Sequence, residues 1–279
     1  MKTYVLKVEN YSRVERLTGA NVLDFDFKGE YTDSEIKREL LRFPDIFAYD
    51  KCILLNGSGS YHHLTIFPTY LLTNTRYTYV HIDNHTDAYE MSIISCGSFV
   101  SKIVRYNKDI HVNFFGVTKL IRSDESFSVV NNPDTVEVYP PSDIPIRTYI
   151  SIPFYKLKYF LNKLRTNTSV KQVSKYSNNI FRRDLVIEWK DIDEWNGPLK
   201  NKDVYISIDL DVLKTHPFCE WRGYLDMDQL ECLLKKIKEE CNEIIAADIC
   251  GYEDRDYFGR ERDNLTDLMN TFDVLKEII

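Results

Sequence analysis

Long apolar runs are missing from this chain. No stretch of its 279 residues approaches the 18 or so consecutive apolar positions that a bilayer-spanning helix needs. The first residues, MKTYVLKVENYSRVERL, are broken by Lys7, Glu9, Arg13 and Glu15, so neither a secretory leader nor a membrane anchor is expected. Glycine and proline are scarce, at ten and nine, which excludes collagen-like and linker-rich architectures. Six cysteines occur (Cys52, Cys96, Cys219, Cys232, Cys241 and Cys250), but there is no C-x-x-C pair and no metal-finger spacing among them. They read as small buried hydrophobes of a reducing compartment, and a cytoplasmic location is expected. Internal repeats and low-complexity tracts are absent as well.

What is present is enough apolar side chain for a core: 43% of the residues are hydrophobic and 13% of the whole chain is aromatic. Disorder is thereby excluded, and a single domain over residues 1–279 is expected. The net charge of −7 argues against nucleic acid as a partner. That charge is uneven. Residues 146–190 carry ten basic and two acidic groups, whereas 191–279 carry eleven and twenty-two. The basic stretch is either a solvated helix face with a polar loop or an attractor of acidic partners.

Runs rich in β-branched and aromatic residues predict strands at Thr3–Val8, Lys51–Leu55, Tyr77–Ile82, Ile110–Val117, Val204–Ile208 and Ile244–Ile249. Helices are predicted at Ser34–Phe43, opened by the Thr32-x-x-Glu35 capping box, at Asp226–Cys241 and at Asn264–Ile279. Residues 120–200 resist assignment and are expected to hold insertions or a substrate-facing region. Strands separated by helices predict an α/β fold with a mainly parallel central sheet covered on both faces.

In such a sheet, ligands bind beyond the carboxyl ends of the strands. Three apolar runs end there in chemistry-bearing residues. TYVHI leads into Asp83-Asn84-His85-Thr86-Asp87, VYISI into Asp209-Leu210-Asp211, and CILL is followed by GSGSYHH at 57–63. Four carboxylates in one apolar-walled cleft repel one another, and divalent cations are the natural compensation. Carboxylates mixed with imidazole suit Mn²⁺ or a similar borderline-hard ion rather than thiolate-bound zinc.

At these residues the sequence resembles the arginase/agmatinase (ureohydrolase) superfamily, whose binuclear site reads Gly-Gly-Asp-His, then Asp-Ala-His-x-Asp, then Ser-x-Asp-x-Asp. Asp83-Asn84-His85-Thr86-Asp87 matches the second motif at all three ligands, and Ser207-Ile208-Asp209-Leu210-Asp211 matches the third at Ser and both Asp. The first motif is looser, in Gly57–Leu64. His62 is taken as the ligand from its His-x-Leu spacing, with His63 the runner-up.

The resemblance implies a three-layer α/β/α arginase–deacetylase-like fold and two Mn²⁺ per chain. It makes Asp83 and Asp209 bridges between the ions. His62 and Asp87 complete one shell, and His85 and Asp211 the other. An activated water would attack a guanidinium carbon, with Asp87 as the catalytic carboxylate that orients it, giving urea and an amine.

Three departures from the family pattern stand out. Its shuttle histidine is replaced by Cys96 in Cys96-Gly97-Ser98, so either His63, His111 or His216 substitutes or no shuttle is needed. Its guanidinium-holding Asp-x-x-Glu appears as Asp248-Ile249-Cys250-Gly251, so Glu253, two residues on, takes the catalytic and substrate-binding place. The readers of a free amino acid's head group are absent from Ala88-Tyr89-Glu90-Met91. Tyr89, with Tyr61 and Tyr252, is expected to line the guanidinium pocket.

The last departure favours an arginine-containing peptide, and the sequence looks most like the peptide arginases of ribosomal-peptide biosynthesis, which make ornithine. A free arginine or agmatine enzyme, a one-metal deacetylase-like amidohydrolase and a non-enzymatic metal-tied protein remain the alternatives. Association into a homo-oligomer stays open.

Overall fold

A computed structural model describes residues 1–9, 11–43, 51–72, 76–88, 92–107, 110–117, 136–139, 188–189, 199–218, 222–255, 259–260 and 263–279. Tyr89, Glu90, Met91, Cys219 and nearly all of the basic stretch 146–190 lie outside them. Among the described residues no helix is long and apolar enough to cross a membrane.

Among the described residues eleven strands form: β1 (Lys2–Leu6), β2 (Asn21–Leu23), β3 (Tyr31–Thr32), β4 (Cys52–Leu55), β5 (Thr78–Ile82), β6 (Ile93–Ile94), β7 (His111–Phe115), β8 (Val136–Tyr139), β9 (Glu188–Trp189), β10 (Asp203–Asp209) and β11 (Glu243–Cys250). Nine of them make one sheet in the order β2-β1-β4-β11-β10-β5-β7-β8-β9. Every pairing in it is parallel. The remaining two, β3 and β6, pair antiparallel. All six expected strands are central members of the large sheet, each within a few residues of its expected ends.

The helices are α1 (Tyr11–Thr18), α2 (Asp33–Leu40), α3 (Ile66–Leu71), α4 (Phe99–Tyr106), α5 (Met227–Glu240) and α6 (Leu265–Ile278). The Thr32/Glu35 capping box forms as read: the Glu35 N–H donates to Thr32 Oγ1 at 3.3 Å and the Thr32 N–H to Glu35 Oε2 at 2.8 Å. Helix α5 opens on an equivalent box between Asp226 and Gln229.

Two apolar cores lie on opposite faces of the sheet, because alternate strand residues point to opposite sides. Cys52 and Leu54 of β4 join one core, with Ile36 of α2, Phe67 of α3, and Phe99 and Ile103 of α4. Ile53 and Leu55 join the other, with Val14 of α1, Leu230 and Leu234 of α5, and Phe272 and Leu275 of α6. The result is the three-layer α/β/α arrangement.

Register then decides what the α2–α4 face carries. Tyr79, His81 and Asp83 follow one another on that face of β5, as do Tyr205, Ser207 and Asp209 on β10 and Ala246, Asp248 and Cys250 on β11. Tyr79, Tyr205 and Ala246 form one cross-strand row; His81, Ser207 and Asp248 form the next. Apolar and aromatic groups therefore give way to ionisable ones towards the carboxyl ends.

Candidate metal centre

The cluster sits at that carboxyl rim. Its first histidine comes from a 3-10 turn, Gly59–Thr65, that follows β4. His62 is fully buried, and its Nδ1 lies 3.2 Å from Asp83 Oδ2, 3.0 Å from Asp87 Oδ2 and 3.6 Å from Asp209 Oδ2. Its other nitrogen, Nε2, lies 2.9 Å from Ser207 Oγ. His63 points elsewhere, with Nε2 3.0 Å from the Lys28 carbonyl, so His62 is the one turned to the carboxylates.

Beside this group His85 Nδ1 is 2.8 Å from Asp211 Oδ2 and 3.4 Å from Asp83 Oδ1. The six residues named from the motifs thus converge, each at most 8% exposed. Short loops hold them there. The Asp83 carboxylate accepts the His85 N–H at 2.6 Å, and Asp209 Oδ1 accepts the Asp211 N–H at 2.9 Å. Asp87 takes a left-handed backbone, φ 47°, which Asp tolerates better than most residues, and its carbonyl is anchored by the Val100 N–H at 3.0 Å.

Three groups of donors within 4.8 Å of one another result: His62, His81, Asp83 and Asp87; His62, Asp209 and Cys250; and Asp83, His85 and Asp211. Asp83 belongs to two of them, as does His62. Asp209, the other expected bridge, is grouped with His62 and Cys250.

Electrostatics tests whether cations fit. Ser207 Oγ donates its one proton to Asp248 Oδ1 at 2.9 Å, so it accepts from His62 Nε2–H. In the neutral ring Nδ1 is then a lone pair aimed at three carboxylate oxygens, which is repulsive unless a positive charge lies between. Without a metal the ring itself supplies it: burial opposes its charge, yet Cys250, Asp83 and Asp87 hold His62 well above the ordinary imidazole value. Burial and the Asp83 charge push Asp87 and Asp209 up to about 7. His62 Nδ1, His81 Nε2 and Asp83 Oδ2 are buried and make no hydrogen bond. Donors of this kind fit one or two divalent cations.

Several expectations change. Asp248 faces no substrate: it is fully buried, accepting from Tyr205 at 2.7 Å, Ser207 at 2.9 Å and Thr65 at 3.0 Å. Its work is to orient Ser207 and through it His62. Gly251 explains the missing Glu, since with φ 82° a Cβ there would run into Asp209 Oδ1 and the Leu210 amide. Glu253 instead lies near enough to the Gly59 amide to feel it, and a Cβ at Gly59 would stand only 3.0 Å from Asp209 Oδ2. Burial pushes this half-buried carboxyl up to about 7. It is therefore placed at the rim.

Tyr252 packs into the core on the far side of the sheet rather than over the cluster. Cys96 is half-buried, and burial with the charges of Asp87 and Asp209 raises its thiol to about 12, so it stays protonated. Among the shuttle substitutes His111 begins β7 at the opposite end of the sheet. His216 is buried close enough to feel His85 and Asp83, and burial lowers it to about 4.

Reading the motifs alone missed His81 and Cys250. Alternation was the available signal, because His81-x-Asp83 shares a face and Cys250 pairs in register with Asp209. Cysteines were also more varied than expected: Cys52 and Cys250 are buried, whereas Cys232 is exposed.

Fold and site together define a parallel α/β protein with a buried carboxylate–imidazole centre at its carboxyl rim. The chain is similar to several solved structures along most of its length. They include a putative agmatinase from Clostridium difficile (14% identical, 99% of this chain and 93% of that one, TM-score 0.47). Formimidoylglutamase from Bacillus subtilis subsp. subtilis str. 168 is 14% identical over 99% and 86%, TM-score 0.49. Helicobacter pylori arginase is 11% identical over 99% and 97%, TM-score 0.49. No protein-family model matches the sequence, and no curated protein matches it. Likeness at this level leaves the chemistry to be read from the residues themselves.

Proposed function

We propose that the chain, as one catalytic unit over residues 1–279, is a binuclear metal-dependent hydrolase of guanidino groups, releasing urea and an amine in the cytoplasm. Its substrate on this reading is arginine within a peptide, converted to ornithine. One observation supports it above the others: His62 Nδ1 faces the carboxylates of Asp83, Asp87 and Asp209 in a buried cluster.

Two Mn²⁺ ions, one held by His62, Asp83, Asp87 and Asp209 and one by His85, Asp211 and Asp83, would supply Lewis acidity and a water acidified towards neutral pH. The chain's own residues do the rest. Asp87, fixed by its left-handed turn, is the carboxylate that would orient a water at the cluster and hold its proton. Glu253 meets the guanidinium cation from the rim, beside Asp209 through Gly59. Burial of the cluster excludes bulk water, which strengthens each of these contacts.

Substrate choice follows from charge. A free amino acid brings an ammonium and a carboxylate that need partners, or both are desolvated at a cost of several kcal/mol. Ala88, next to Asp87, is buried and offers neither. An arginine in a peptide has neither charge, and the basic stretch 146–190 suits acidic parts of a longer substrate.

The test is urea release from an arginine-containing peptide set against free arginine and agmatine. The expected kcat/KM is at least about tenfold higher for the peptide, roughly 1.4 kcal/mol. Equal or faster turnover of the small substrates would discard the peptide and keep the ureohydrolase. A single tightly held zinc with amide-hydrolysing activity would move the reading to a deacetylase-like enzyme.

A further inference from the structure

The row of side chains just beneath the rim holds a third imidazole that the sequence motifs leave unused. His81 is fully buried on β5, two residues before Asp83 and therefore on the same face. Its ring lies parallel to that of His62, centroids 5.0 Å apart and planes within 9°. Phe99 backs both rings, at 4.7 Å from His62 and 5.9 Å from His81, and Phe114 meets His81 edge-on at 5.3 Å. An imidazole walled in this way cannot turn to find another partner.

The nearest carboxylate oxygen to it belongs to Asp83. His81 Nε2 lies 3.2 Å from Asp83 Oδ2, and His62 Nδ1 lies 3.2 Å from that same atom. The separations are short enough for hydrogen bonds, yet none of the three atoms makes one. Such spacing without hydrogen-bond alignment has a simple source. Two donors bound side by side to one small divalent ion, each at about 2.1 Å, stand about 3 Å apart. Asp87 Oδ2, 3.0 Å from His62 Nδ1, fits the same pattern, and the donors of all four residues lie within 4.8 Å of one another.

We propose that His81 is a direct ligand of the first cation position. That position then offers two imidazoles, His62 and His81, with the carboxylates assigned to it above, Asp83, Asp87 and Asp209. The second offers one, His85, with Asp83 and Asp211. To ligate through Nε2 the His81 ring carries its proton on Nδ1, and the Tyr79 hydroxyl, 3.4 Å away, is placed to accept it. The two positions are accordingly unequal. Added nitrogen favours ions later in the divalent series, so the first position holds Co²⁺ or Zn²⁺ more tightly than Mn²⁺, by a larger margin than the second. This inference rests on the two-cation reading above.

The experiment uses the full chain stripped with a chelator and titrated with Mn²⁺ and, separately, Co²⁺. Electron spin-echo modulation at one equivalent of Mn²⁺ is expected to count two coordinated imidazoles in the unaltered protein and one in His81→Phe. That variant keeps a flat ring against Phe99. Its affinity for the first Co²⁺ should fall at least about tenfold, with the second ion little changed. Uptake of no ion by the unaltered protein sinks the two-cation reading itself. Uptake of two ions with a single imidazole on the first, or a first-ion affinity in His81→Phe within twofold of the original, overturns the His81 assignment and leaves that reading standing. Should circular dichroism show His81→Phe unfolded, the imidazole count on the unaltered protein decides alone.

Discussion

His62 Nε2 and Ser207 Oγ stand 2.9 Å apart across 145 positions of chain, and this contact selects which ring nitrogen faces the carboxylates. Ser207→Ala removes the acceptor and frees the ring to protonate the wrong nitrogen. Cation affinity should drop about 10- to 100-fold, as it does when an outer-shell partner of a ligating histidine is lost. Asp248 loses one donor at the same time, about 1 kcal/mol of stability. Competition with a fluorescent chelator measures the first effect, and an unchanged affinity would mean that Ser207 does not set the tautomer.

Asp83 and Asp211 are expected to differ in reach. Asp83 touches both donor sets, whereas Asp211 meets His85 alone among the ring donors. Asp83→Asn should therefore lower retention of both ions, and Asp211→Asn that of one. Elemental analysis of protein passed through a desalting column reads the two stoichiometries directly.

Glu253 supplies a pH signature. Its carboxyl is pushed up to about 7 from an ordinary 4.5, mainly by burial, so the folded state keeps a proton that the unfolded chain has released. Stability from this group is greatest below pH 4.5 and is lost as pH rises through about 7. Glu253→Gln should accordingly be the more stable protein at pH 8, by about 1–2 kcal/mol once partial exposure is allowed for. Substrate binding runs the other way, because the anion that attracts a guanidinium exists only above about 7. The kcat/KM of the unaltered protein should rise through that pH, and Glu253→Gln should lose that rise along with most of its activity.

Gly251→Ala tests how closely the backbone approaches Asp209. The new methyl meets Asp209 Oδ1 and the Leu210 amide, and Ala must also adopt a φ of 82°. A loss of about 2–4 kcal/mol is expected in urea denaturation, from the left-handed backbone and the overpacking together. Near-zero loss would show that the β11 turn gives way freely.

The strands and the motif residues were legible because each relies on local pattern. TYVHI, VYISI and CILL are fully buried runs, and the polar residue after each has nowhere to go but the rim. The choice of His62 over His63 came instead from the resembled family's His-x-Leu spacing, and the structure turns His62 to the carboxylates. What could not be read were relations across strands. The Ser207–Asp248 link and the place of Cys250 beside Asp209 need the register of β10 on β11, which includes a shift between Val204 and Tyr205. Three short helices escaped for different reasons. Helix α1 buries only Val14, α3 is apolar all round and contains Pro68, and α4 spans just Phe99–Tyr106. Tertiary packing, rather than propensity, holds such pieces. The role of Tyr252 failed because the turn at Gly251 redirects the chain.

The carboxylate cluster at the rim also bears on how much folded protein a cell holds. Packed together without counter-ions, Asp83, Asp87, Asp209 and Asp211 strain the very state that brings them together. A cation that binds only this state, at about a hundred times its dissociation constant, adds about 2.7 kcal/mol per position. For a centre loaded as proposed, the free concentration of divalent metal becomes a determinant of the chain's lifetime. Starvation for the ion would then lower the amount of folded protein as well as the rate of each copy.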